Sequence, residues 1–113
     1  MDKYIILLPM TYNDGKAVPK AVTCTVLKAL YDLASGYTIE GKVRGAFRMR
    51  SGGKQEDTLL KVWVLIPSER VRDLKNLVRQ FCVQLGQESI WLEKTISVVE
   101  FVGPASVSED SNE

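Results

Sequence analysis

The feature that most narrows the fold of this chain is the order in which its hydrophobic period changes. A β-branched apolar run occupies residues 4–10, a helical period follows over 18–36, and strict alternation begins at residue 38. A second apolar run covers 59–66, a helical period returns over 68–86, and strand character resumes at 89. A period of 2 places side chains on one face of a strand, and a period of 3.6 places them on one face of a helix. The resulting order is strand, helix, strand, strand, helix, strand. A length of 113 residues leaves room for a single core.

The boundaries carry their own chemistry. The first strand, ended by Pro9, runs into the turn Asn13-Asp14-Gly15. Pro19 suits the first turn of a helix because no amide hydrogen is needed there. Val22, Val26, Leu30 and Leu33 form the stripe of that helix, widened by Leu27 and Ala34, and Gly36 is expected to close it. In the alternating segment Val43, Gly45, Phe47 and Met49 share one face, and Arg44, Ala46, Arg48 and Arg50 the other. Ser51-Gly52-Gly53-Lys54 reads as a hairpin turn leading to a strand over 59–66. In the second helix Ser68 fits an N-cap and Gly86 a C-terminal stop. Val71, Leu74, Leu77, Val78, Phe81, Cys82 and Leu85 form its stripe, and Arg70, Arg72, Lys75 and Arg79 line its polar side. Ser89 to Leu92 reads as a strand, Glu93-Lys94-Thr95 as a turn, and 96–102 as strand again. Residues 89–102 are thus one long bent strand or an extra C-terminal hairpin.

This order defines an α+β chain with the ferredoxin-like βαββαβ topology: a four-stranded antiparallel sheet with both helices on one face. The domain is expected over 1–102. Residues 103–113 are polar and small, with Glu109, Asp110 and Glu113 and no base, and read as a disordered acidic tail.

The two strands expected at the centre of the sheet do not alternate between apolar and polar. Ile5, Leu7 and Pro9 oppose Tyr4, Ile6, Leu8 and Met10; Leu60, Val62, Val64 and Ile66 oppose Leu59, Lys61, Trp63 and Leu65. Whichever set meets the helices, the other carries large apolar groups, each worth about 1.5–3 kcal/mol when buried. Self-association into a dimer or trimer is the expected cover, with Trp63, Lys61 and Leu65 at the interface. Cover by the chain's own C-terminal segment or by an apolar ligand are the alternatives.

Composition excludes several chemistries. The chain has no histidine, the commonest general base and metal ligand. Cys24 and Cys82 lack metal-ligand spacing and fall on apolar helix faces, so they read as small core hydrophobes. No metal site and no cofactor is expected. Net charge is +1, or +4 without the acidic tail, well below that of a dedicated nucleic-acid binder. No stretch reaches the roughly 18 apolar residues that cross a bilayer, and 4–10 lacks the flanks of a signal peptide. A cytoplasmic location is expected.

Three places are candidates for a ligand. Asn13 and Asp14 lie in a strand-to-helix turn whose backbone amides can receive an anion; the competing reading is a tight turn held by its own side chains. Arg44, Arg48 and Arg50, near Lys42 and Lys54, concentrate positive charge that suits a phosphate. Charged edge strands also prevent edge-to-edge pairing, and Glu56 and Asp57 can neutralise these bases across the hairpin. Glu88, in Gln87-Glu88-Ser89, is a candidate ligand carboxylate or general base, or a loop side chain that satisfies backbone. Trp91, between Ile90 and Leu92, reads as packing.

The pieces Asn13-Asp14-Gly15, Ser35-Gly36-Tyr37-Thr38, Glu56-Asp57 and Leu85-Gly86-Gln87-Glu88-Ser89-Ile90, in this order, resemble a family of short bacterial proteins of unknown function with a ferredoxin-like fold. The chain has Leu85-Gly86 where that family has an aromatic-containing pair. The resemblance spans most of residues 4–102 and implies the fold without an activity. The architecture is also similar to trimeric ferredoxin-like proteins, among them nitrogen-regulatory signal proteins and phage S-adenosylmethionine lyases. That similarity implies nucleotide or nucleoside sites at clefts between subunits.

The function expected from sequence is a non-catalytic, self-associating domain that binds a partner or a small anionic ligand through Arg44, Arg48 and Arg50. A nucleic-acid binder using the same basic strand is a second reading, which the modest charge disfavours. A third is an enzyme at a subunit cleft acting on a nucleotide or nucleoside through Glu88, Asp14 or Glu56. The absence of a nucleophile–base pair points away from catalysis.

Overall fold

The computed structural model describes residues 1–105, so the expected acidic tail lies, from residue 106 on, outside the described residues. Four strands, β1 (Asp2–Pro9), β2 (Thr38–Arg48), β3 (Lys54–Ile66) and β4 (Trp91–Thr95), form one antiparallel sheet in the order β2-β3-β1-β4. Helices α1 (Lys20–Ala34) and α2 (Val71–Leu85) connect β1 to β2 and β3 to β4. This is the ferredoxin-like arrangement, with β1 and β3 at the centre.

Register assigns the faces. Tyr4 stands opposite Val64, Ile6 opposite Val62 and Leu8 opposite Leu60, and all six are buried in the core. The helices lie over this set: Val26, Leu27 and Leu30 from α1, and Leu74, Val78, Phe81 and Leu85 from α2. The α2 residues recur at spacings of three and four, so one face carries the whole contribution of that helix. Each large side chain removed from water here contributes about 1.5–3 kcal/mol.

Helix α2 ends in a Schellman motif. Gly86 takes left-handed backbone at φ 63, Gln87 N–H donates to the Cys82 carbonyl at 2.8 Å, and Gly86 N–H donates to the Val83 carbonyl at 3.3 Å. Glycine meets that conformation without a Cβ clash. Helix α1 stops one residue earlier than expected. Ser35, not Gly36, is left-handed (φ 63), and its N–H donates to the Tyr31 carbonyl at 2.8 Å.

Four further expectations are corrected. Ser68 is not the N-cap of α2: it opens a single 3-10 turn over Ser68–Arg70, capped by Pro67, with no side-chain cap bond. Arg70, placed by sequence on the polar side of α2, instead donates from Nη1 to the Leu33 carbonyl at 2.6 Å, satisfying a free carbonyl at the end of α1. Cys24 is exposed and Cys82 half-buried, because Cys24 lies on the side of α1 away from Val26 and Leu30 and Cys82 sits at the margin of the α2 stripe. Glu93-Lys94-Thr95 is not a turn. It belongs to β4, paired against β1 from Leu7↔Trp91 to Lys3↔Thr95, and residues 96–102 continue without forming a strand or hairpin.

Candidate functional site

On the face of the sheet away from the helices lie Lys3, Ile5, Leu7 and Pro9 of β1, with Leu59, Lys61, Trp63 and Leu65 of β3. The chain covers much of this face itself. Ile5 and Leu59 are buried, and Leu7, Lys61, Trp63 and Leu65 are half-buried. The Lys3 ammonium sits 4.6 Å from the Trp63 ring centroid, a contact worth about 0.5–1 kcal/mol near the surface. Glu40, the extra residue of a bulge between Ile39 and Gly41, joins Lys61 at 3.3 Å and Lys3 at 3.9 Å. Lysine stems and their shared carboxylate thus shield apolar area that the sequence leaves bare.

At one end of this face the side chains part to leave a cleft of about 440 Å³, within the size range of small-molecule sites. Its floor is Leu7, Pro9 and Leu59. One wall is the β2–β3 hairpin, with Phe47, Arg48, Met49, Gln55 and Asp57; the other is Gln87, Glu88, Ser89, Ile90 and Trp91. Asn13 lies at the margin.

Local folding explains each wall. Gly45 stands opposite Asp57, and a Cβ on Gly45 would lie 2.8 Å from Cε2 of the Phe47 ring. The missing side chain therefore lets that ring lie back over the strand. Asp57 is buried, and its Oδ1 accepts a bond from Gln55 Nε2 at 3.0 Å. On the opposite wall the Schellman motif turns the chain so that Gln87 and Glu88 enter the cleft. Asn13 secures the turn: its Nδ2 donates to the Gly86 carbonyl at 2.9 Å, and its Oδ1 accepts from Gln87 Nε2 at 3.4 Å. The Trp91 indole N–H donates to Glu93 Oε1 at 3.1 Å, steadying a ring that is 53% exposed and free to stack on a ligand.

Of the residues singled out from sequence, the fold brings Asn13, Arg48 and Glu88 to this cleft. Asp14 is engaged in its own turn, where Oδ1 accepts the Lys16 N–H at 2.9 Å. Arg44 borders a shallower hollow with Thr11, Gly15 and Glu56. Arg50 lies beyond the end of β2, in the hairpin turn, so it does not share the strand face of Arg44 and Arg48. The expected neutralisation across the hairpin is absent among the described residues. Glu56 pairs with Lys54 of its own strand at 2.9 Å, Asp57 bonds to Gln55, and neither meets an arginine.

Sequence reasoning missed Phe47, Gln55, Asp57, Gln87 and Trp91 as lining residues. Trp91 was readable as packing because it alternates with Ile90 and Leu92. Asp57 carried no local clue, because it stands between Glu56 and Thr58 in a polar stretch. Among the described residues there is no group of acidic or cysteine side chains that could hold a metal, and no helix is long and apolar enough to cross a membrane.

The fold and cleft place this chain among ferredoxin-like α+β domains with a pocket at one end of the sheet. Solved structures with this architecture include a phage SAM lyase in complex with S-methyl-5'-thioadenosine, at 14% identity and TM-score 0.67, covering 83% of this chain and 79% of that one. The divalent cation tolerance protein CutA1 from Thermus thermophilus aligns at 19% identity and TM-score 0.63, covering 89% of this chain and 86% of that one. At such identities the likeness is one of fold. No protein-family model matches the chain, and no curated protein does. The comparisons thus support the ferredoxin-like fold and do not place the chain in the family of short bacterial proteins that its sequence resembles.

Proposed function

We propose that this protein is a self-associating domain that binds a small nucleoside-like ligand in the cleft between the β2–β3 hairpin and the 87–91 segment. One observation carries the reading: two aromatic rings, Phe47 and Trp91, line the same cleft as the carboxylates of Asp57 and Glu88 and the guanidinium of Arg48. Aromatic faces stack on a flat base, and ionised carboxylates accept hydrogen bonds from sugar hydroxyls or an amino group. Two acids against one base make the lining net negative. That balance favours a neutral or cationic nucleoside over a phosphorylated one, and so departs from the anionic ligand expected from sequence. Self-association is supported by Leu7, Trp63 and Leu65, which the chain covers only in part.

The similar fold solved in complex with S-methyl-5'-thioadenosine supplies the first probes. Calorimetric titration with adenosine, S-methyl-5'-thioadenosine and S-adenosylmethionine should show saturable binding to at least one. Trp91→Ala or Glu88→Gln should weaken it on the order of tenfold, the loss of one stacking or charged hydrogen-bond contact. Absence of binding by all three, or tighter binding of ADP than of adenosine, would overturn the reading.

The two carboxylates on opposite walls of the cleft, Asp57 and Glu88, also favour a second reading, turnover of such a nucleoside with Glu88 as the proton acceptor. Chromatography of S-adenosylmethionine incubated with the protein tests it. Unchanged substrate would eliminate this reading and leave binding intact.

A further inference from the structure

Beyond β4 the chain carries an arm that pairs with no strand among the described residues. Residues 96–102 read Ile-Ser-Val-Val-Glu-Phe-Val, a proline-free, β-branched composition that fits a strand. None of it is in a strand. Ile96 is 92% exposed, Val98 93% and Phe101 82%. A free segment of this kind is an aggregation hazard unless another strand pairs with it.

The sheet offers an edge that matches the arm. Among the described residues the outer side of β2 has no neighbour. The bulge at Glu40 interrupts its first part, leaving a regular stretch over 42–48, as long as the arm. Lys42 and Arg44 stand exposed along it, and among the described residues neither has a carboxylate at ion-pair distance. The arm brings Glu100, and the sequence beyond it adds Glu109, Asp110 and Glu113 without a base. Strand propensity, length and charge therefore agree.

The arm cannot lie along the β2 edge of its own sheet. It grows from β4, at the opposite margin, about 14 Å away at the usual strand spacing. We propose that residues 96–102 of one copy add as a strand to the outer edge of β2 in a second copy, bringing Glu100 to the basic residues there. The contact is head-to-tail, because each copy donates its arm at one edge and receives another at the other; repeated by rotation, such a contact closes a ring. This rests on the self-association part of the proposed function and is independent of the ligand.

Light scattering on the full chain, on a chain ending at Thr95, and on the pair Val98→Asp with Phe101→Asp tests the assignment. The full chain should be a discrete oligomer. Both variants should dissociate at concentrations on the order of tenfold higher or more, a loss of about 1.4 kcal/mol or more. Unfolding curves recorded alongside show whether each variant keeps its core. A monomeric full chain would overturn both self-association and the arm; an oligomer that survives both changes would overturn the arm alone. Phe101→p-benzoylphenylalanine in the otherwise intact chain gives a second readout. Irradiation should join two chains, with the adduct in the peptide containing 38–48. An adduct within one chain, or on a helix of the second, would refute the assignment even if the truncated chain failed to fold.

Discussion

Asn13 and Gly86 are 73 positions apart in the chain, yet the Asn13 side-chain amide donates to the Gly86 carbonyl at 2.9 Å. This bond ties the turn after β1 to the end of α2 and sets where Gln87 and Glu88 enter the cleft. Asn13→Ala removes it, together with the weaker contact to Gln87. The expected cost is about 0.5–1.5 kcal/mol, because the exposed groups regain water. Urea denaturation measures the loss. Amide shifts of Gln87 and Glu88 in NMR spectra should move while those of α1 stay put; unchanged Glu88 shifts would show that the bond does not position the wall.

Gly45→Ala separates the cleft from stability. The added Cβ would meet the Phe47 ring at 2.8 Å, but that ring is 40% exposed and can swing outward. Unfolding free energy should therefore change by less than about 1 kcal/mol, while affinity for the nucleoside probe falls. A stability loss as large as that of a core truncation would mean that the ring is held where it is.

Glu40 serves two lysines, so its replacement tests how the shielded sheet face is maintained. Glu40→Gln should destabilise by up to about 1 kcal/mol at low ionic strength, the usual worth of a partly exposed ion pair. In about 1 M salt, where the screening length shrinks to about 3 Å, the difference from the parent should largely vanish. A difference that is independent of salt would assign the effect to packing.

Burial pushes the Cys82 thiol above its ordinary pKa, partly offset by a backbone hydrogen bond from Ile90. The folded state thus holds this proton more tightly than the unfolded chain. The associated stability is fully present below the ordinary thiol pKa and is lost as pH rises through that value toward the folded one. The stability gap between the parent and Cys82→Ala should stay constant at neutral pH and narrow as pH rises above the ordinary thiol value of about 8.5. Thiol reagents should also label exposed Cys24 before Cys82. A gap that widens with pH would contradict the direction of the shift.

How much was legible in the residues depends on how local the cause is. The α2 stripe from Leu74 to Leu85 and its glycine stop are set by neighbours within a few turns, and the structure reproduces both. The strand pattern of β1 and β3 likewise names Tyr4, Ile6, Val62 and Val64 as one face, although it does not say which face meets the helices. The end of α1 slipped by one residue because Ser35 tolerates left-handed backbone once Tyr31 supplies an acceptor. The turn expected at Glu93-Lys94-Thr95 gave way to pairing with β1, a long-range interaction that polar residue types do not announce.

The sequence by itself determined the order of the two helices and four strands, the two-layer architecture and the core-facing stripe of α2, because periodicity and capping act over short stretches of backbone. Only the tertiary structure decided that Asn13, Phe47, Arg48, Asp57, Glu88 and Trp91 border one cleft, and that residues 96–102 leave the sheet unpaired. Those outcomes depend on strand register and on bonds between distant segments. Each is a small difference between large burial and entropy terms summed over the whole fold.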